Sequence, residues 1–161
     1  MNAIEMAIRM EQEAVDFYTK CAERTGNPVG RKMFLSIAED EQYHIACALN
    51  MQKGQKVVPA STTPLEDMKN IFEQNKQDML NRVPSTAGEL DALKIAMKME
   101  EEAVAFYRNA SAQAGTAEEK GFFDCLIKDE EEHFRIFQNT YSFLDDSGNW
   151  FMWEEKGIVE G

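Results

Sequence analysis

No Cys-x-x-Cys pair occurs in the 161 residues, no apolar run is long, and no stretch of β-branched residues alternates with polar ones. Each absence excludes something. Cys21, Cys47 and Cys125 stand singly and are odd in number, which rules out a zinc-ribbon module and gives no basis for a disulfide framework. They are expected to be reduced thiols packed in the interior. Without about 18 uninterrupted apolar residues the chain has no membrane span, and without period-two alternation it has no strand signal. Positive charge is scarce: 17 Lys and Arg face 29 Asp and Glu, a net charge of -12. That balance argues against a nucleic-acid partner, whose phosphates must be neutralised by basic side chains, and favours cations as guests. The opening residues, MNAIEMAIRMEQEA, place acids inside the apolar stretch and do not read as a signal peptide, so a cytoplasmic location is expected.

What is present reads as helix. A length of 161 residues suits one domain with one core. Helix starts are marked by a Ser, Thr or Asn whose side chain caps the first turn, with a Glu three residues on or a Pro at the first helical position. These are Asn2 with Glu5, Asn27 with Pro28, Thr63 with Pro64 and Glu66, Thr86 with Glu89, and Thr116 with Glu119. They predict helices near 3–25, 28–53, 64–81, 87–114 and 117–144. Short turns at Gly26 and Gly115 make the first two and the last two helices antiparallel hairpins, and the segment from Gly54 to Ser85 becomes a long crossover holding a short helix. The expectation is an all-α four-helix bundle over residues 1–144. An aromatic tail follows over 145–161, with Trp150, Phe151 and Trp153 packing on the bundle or on a second subunit.

The chain repeats itself. At a shift of 89 positions and without gaps, AIRMEQEAVDFY at 7–18 falls on AMKMEEEAVAFY at 96–107, and DEQYH at 40–44 falls on DEEEH at 129–133. A duplicated helical hairpin with pseudo-twofold symmetry follows.

In the first helix Ile4, Ala7, Ile8, Ala14, Val15 and Tyr18 mark the inward face, and Glu11 sits in its middle. Glu41 and His44 lie among Phe34, Ile37, Ala48 and Leu49; Glu100 among Leu90, Leu93, Met97, Ala103, Val104 and Tyr107; Glu130 and His133 among Phe123, Leu126 and Phe137. Glu13, Glu102, Glu131 and Glu132 are read as solvated. Four inward carboxylates in one core need compensating charge, and no Lys or Arg lies on these stripes. Two divalent cations would supply four positive charges and leave the histidines neutral, as ligands must be. One Glu from each of two helices with Glu-x-x-His from each of the other two is the di-iron or di-manganese carboxylate arrangement, and the chain's only histidines occupy equivalent places in the repeat. The same donors also tolerate zinc.

Asp40 and Asp129 stand four residues before His44 and His133. Each is either a solvent-facing acid or the acceptor of a facing histidine's second ring N–H. Tyr18 and Tyr107, seven residues after Glu11 and Glu100, are either core tyrosines with satisfied hydroxyls or groups that bond a ligand carboxylate and relay protons. Met10, Met97 and Met99 read as gap-filling core.

The paired E-x6-Y and DE-x-x-H hairpins with their long crossover resemble the di-iron domain of the rubrerythrins, in the ferritin-like superfamily, over roughly residues 3–144. The resemblance implies two iron ions, Fe2+ or Fe3+ with or without an oxo bridge, for which manganese or zinc can substitute. Glu11 and Glu100 become terminal ligands, Glu41 and Glu130 bridges, and His44 and His133 nitrogen ligands. It implies hydrogen peroxide or O2 as substrate and a homodimer; on a peroxidase reading, protons would come from nearby acids or from Tyr18 and Tyr107. Two departures stand out: the rubredoxin module with its C-x-x-C knuckles is missing, so electrons would come from a separate rubredoxin-like donor, and Ala103 occupies the place of an extra family glutamate. Peroxide reduction in oxidative-stress defence is the expected activity. Ferroxidase action, iron carriage or storage, and a helical scaffold with a vestigial site are the alternatives.

Overall fold

The computed structural model describes residues 1–75, 77 and 83–150. Five helices follow in order: α1 Ala3–Arg24, α2 Pro28–Gln52, α3 Pro64–Gln74, α4 Ala87–Ala112 and α5 Ala117–Ser147. Among the described residues there is no strand, only an isolated antiparallel bridge between Pro84 and Asn149. The fold is a ferritin-like helical bundle. α1 packs on α2 and α4 on α5 as the two hairpins, α1 meets α4, and α3 lies against α2 and α5. No helix of the described residues is long and apolar enough to cross a membrane.

Four of the five starts are capped by the side chains the sequence named. Asn2 accepts from the Glu5 N–H, Asn27 from Gly30, Thr86 from Glu89 in a complete reciprocal box, and Thr116 from Glu119. Thr63 is the exception. Its backbone is left-handed, φ 51°, and its side chain makes no capping bond. The residues before it are drawn onto α5: the Thr63 N–H donates to Ser61 Oγ, and Ser61 and Thr62 both bond Asp129.

α3 ends at Gln74 and not near 81, because the Asn75 amide donates to the Ile71 carbonyl at 2.7 Å and replaces the next helical bond. Residues 76 and 78–81 of the expected helix lie outside the described residues. α5 runs three residues beyond the expected 144 and stops at Gly148, whose φ of 73° suits a glycine and whose N–H caps the Leu144 carbonyl at 2.8 Å.

Every long helix is apolar at both ends of its inward face and acidic in the middle. On one side of that acidic layer Tyr18, Met33, Phe34, Leu93, Phe137 and Leu144 form one cluster; on the other Ile4, Ala48, Tyr107, Phe122, Phe123 and Leu126 form the second. Leu49, expected inward, is 40% exposed, since the α2 face rotates past it and Cys47 with Ala48 fill the contact. Trp150 is buried against Gly30, where an added Cβ would meet its ring at 2.8 Å, and its indole N–H donates to Glu89. Phe151 and Trp153 lie outside the described residues. The three cysteines are free, with Cys21 and Cys47 buried, and burial pushes the Cys21 thiol up to about 11.

Candidate metal centre

Glu11, Glu41, His44, Glu100, Glu130 and His133 are each at most 2% exposed. α1 contributes Glu11, α2 Glu41 and His44, α4 Glu100, and α5 Glu130 and His133, with i and i+3 spacing aiming each Glu–His pair at one point. Their donor atoms form two overlapping groups, Glu11–Glu41–His44–Glu130 and Glu41–Glu100–Glu130–His133, each with its atoms within 4.8 Å of one another. Glu41 and Glu130 belong to both. His44 Nδ1 lies 3.5 Å from Glu11, 3.4 Å from Glu41 and 3.2 Å from Glu130; His133 Nδ1 lies 3.3 Å from Glu41, 3.5 Å from Glu100 and 3.8 Å from Glu130.

The outer atoms are accounted for. His44 Nε2 meets Asp129 at 2.8 Å and His133 Nε2 meets Asp40 at 2.8 Å, so each hairpin supplies the aspartate for the other's histidine. A ring whose Nε2–H is taken by a carboxylate keeps a lone pair on Nδ1. The Tyr18 hydroxyl donates to Glu100 at 2.5 Å and the Tyr107 hydroxyl to Glu11 at 2.7 Å, again across the repeat. What remains is one unpartnered buried atom from each of the six residues: Glu11 Oε2, Glu41 Oε1, His44 Nδ1, Glu100 Oε2, Glu130 Oε1 and His133 Nδ1. Buried polar atoms are rarely left so. Six of them converging from hard oxygen and borderline nitrogen donors fit two first-row divalent ions.

The electrostatics carry the same strain. Burial, then the charge of Glu130, raises the Glu11 carboxyl above the ordinary range; burial and the neighbouring glutamates push Glu41 and Glu100 well above it. Burial opposes charge on both histidines, but Glu11 and Asp129 around His44, and Glu41 and Glu100 around His133, outweigh it and carry both well above the usual imidazole value. Glu130, despite its burial, is held well below the carboxylate range by the nearness of Glu100, His133 and His44. Tyr18 and Tyr107 are pushed well above 10, first by burial and then by the adjacent glutamates, and keep their protons.

A cavity of about 90 Å³ opens beside these groups. It is lined by Met10, Glu11, Glu13, Ala14, Tyr18 and Glu41 and by their six repeat partners 89 positions on, among them Glu102 and Ala103. Glu13, Glu102 and Glu131 are solvent-facing as read from the sequence, but Glu132 is partly covered because it accepts the Leu65 N–H at 3.1 Å. Two contributors around the site, and one at the far end of the bundle, were not legible beforehand. Ser61 and Thr62 bond Asp129 from the crossover, a contact across more than sixty positions that no local pattern signals. Glu89, read only as a cap, also accepts from Thr25 Oγ1 at 2.5 Å and from Trp150.

Fold and centre together define a helical carboxylate–histidine protein of the ferritin-like class. A family model described as Rubrerythrin matches residues 2–141, and the chain belongs to that family of di-iron proteins. No curated protein and no solved structure matched the chain.

Proposed function

We propose that the chain is a di-iron peroxidase that reduces hydrogen peroxide to water with electrons from a separate, rubredoxin-like donor protein. The observation that carries this reading is the set of six unpartnered buried donor atoms in two overlapping groups, set on the wall of a cavity sized for a small oxidant. Glu11, Glu41, His44 and Glu130 would hold one iron, and Glu41, Glu100, Glu130 and His133 the other. When bound and reduced, such a pair supplies two electrons and Lewis acidity for breaking an O–O bond.

The chain's own residues handle position and protons. Asp129 and Asp40 hold the histidine rings with Nδ1 inward. Tyr18 and Tyr107 donate hydrogen bonds to Glu100 and Glu11 and, kept protonated by burial and the adjacent glutamates, stand as the proton donors for O–O cleavage. Two protons and two electrons per peroxide give two waters. The two apolar clusters on either side of the acidic layer keep bulk water from the centre.

One observation favours a second reading. Exposed Glu13 and Glu102 stand at the cavity, where they would attract Fe2+ as a substrate for oxidation. Protein purified without oxygen decides between the two. The peroxidase predicts about two irons per chain and a reduced form that is oxidised rapidly by peroxide and slowly by O2. Faster reaction with O2 supports a ferroxidase, uptake of many irons supports storage, and metal that cycles with neither oxidant leaves a carrier.

A further inference from the structure

The donor set is symmetric, but what holds it is not. His133 leans on Asp40, which is 6% exposed and has that histidine as its one hydrogen-bond partner among the described residues. Asp129, which holds His44, is fully buried and takes four further bonds from the crossover. Ser61 Oγ donates to Oδ1 at 2.7 Å, Thr62 Oγ1 to Oδ2 at 2.9 Å, and the Thr62 N–H reaches both oxygens, at 3.2 and 3.1 Å. Two more contacts brace the loop: the Thr63 N–H donates to Ser61 Oγ, and the Leu65 N–H to Glu132, one turn beyond Asp129 on α5. The repeat predicts no such brace on the other hairpin, because Tyr43 stands where Glu132 has its equivalent. Asp67 stands near both aspartates: burial first, then the charge of Asp40 and, more weakly, that of Asp129 raise its carboxyl.

We propose that Ser61 and Thr62 are positioning residues which, through Asp129, lock the His44 ring and make the metal position at His44 the tighter of two otherwise equivalent positions. The inference rests on the two-ion reading above. A carboxylate whose lone pairs are filled by fixed donors cannot rotate away from the imidazole, so Nδ1 of His44 is already aimed before an ion arrives. His133 depends on a carboxylate held by the histidine alone, so its ring is less firmly fixed before the ion binds. Loss of an outer partner of this kind typically lowers metal affinity by about ten- to a hundredfold, so stepwise loading is expected.

Anaerobic titration of the full chain with Co2+ tests this, read by visible absorption and by the paramagnetically shifted ring N–H protons of the two histidines, assigned with His133→Gln. The wild type should fill in two steps, the first shifting the His44 signal, with the His44 N–H exchanging more slowly with solvent. In Ser61→Ala/Thr62→Val the first step should weaken at least about tenfold and the His44 N–H should exchange faster, while the His133 signal stays. Ser61→Thr/Thr62→Ser, which keeps both hydroxyls, should restore the wild-type pattern. Filling in one step by the wild type, an unaltered His44 signal in the double variant, or equal changes at both histidines would overturn the inference. Failure to bind two Co2+ at all would instead sink the two-ion reading on which it stands.

Discussion

Glu41 and Glu130 contribute to both four-residue groups, whereas Glu11 and Glu100 each contribute to one. Glu41→Ala or Glu130→Ala should therefore lose both ions and the spectrum of a coupled pair; Glu11→Ala or Glu100→Ala should retain about one ion per chain, and Glu13→Ala should bind as the wild type does, all read by metal analysis. Tyr18→Phe and Tyr107→Phe keep the ring packing and remove one hydroxyl each. Turnover with peroxide should fall on the order of 10²-fold at unchanged metal content, and loss of metal instead would assign these hydroxyls to ligand support alone. That the six residues of the candidate centre would face one point inside the bundle was legible in the sequence, because acids and histidines recur there at inward phases and at one repeat interval. For Asp40 and Asp129 the sequence offered the bond to a facing histidine only as one of two readings, since partners on facing helices leave no trace in local spacing, and the structure shows that bond for both. Leu49 and Glu132 show the same limit from the other side: periodicity assigned a face, and the actual neighbours overrode it.

At the scale of elements, capping chemistry located the helices well wherever the cap was a purely local matter. Thr86 with Glu89 is the clearest case, and Thr86→Ala should cost about 1 kcal/mol in chemical denaturation. Thr63 failed as a cap because the preceding loop is committed elsewhere, to Asp129. The junction around Trp150 was illegible for a related reason. It joins the start of α2, the start of α4 and the chain beyond α5, where the Trp150 N–H donates to the Val83 carbonyl at 2.7 Å. Gly30→Ala would drive a methyl group into the indole, and an overpacked contact of this kind should destabilise the fold by about 1–3 kcal/mol. Thermal melting checks it, and an unchanged midpoint would mean that the indole can shift.

Over the whole molecule, the acidic layer divides one core into two, and its charge has to be offset by bound protons or by cations. Metal removal should lower the melting temperature, since ions that bind only the folded chain stabilise it by mass action. The pH dependence follows from the same charges. Glu11, Glu41 and Glu100 hold protons to higher pH than ordinary carboxyls, and His44 and His133 to higher pH than ordinary imidazoles. Incoming cations must displace those protons, so affinity should rise with pH up to and beyond the ordinary imidazole range, with acid released into unbuffered solution on loading; an indicator dye reads it, and binding without acid release would contradict the assigned protonation. The duplication has a further consequence at the cavity, whose twelve lining side chains are six positions of the repeat, each met twice with the same residue. A reactant whose two ends are chemically identical, as in a homonuclear oxygen species, would find the same welcome whichever end enters first.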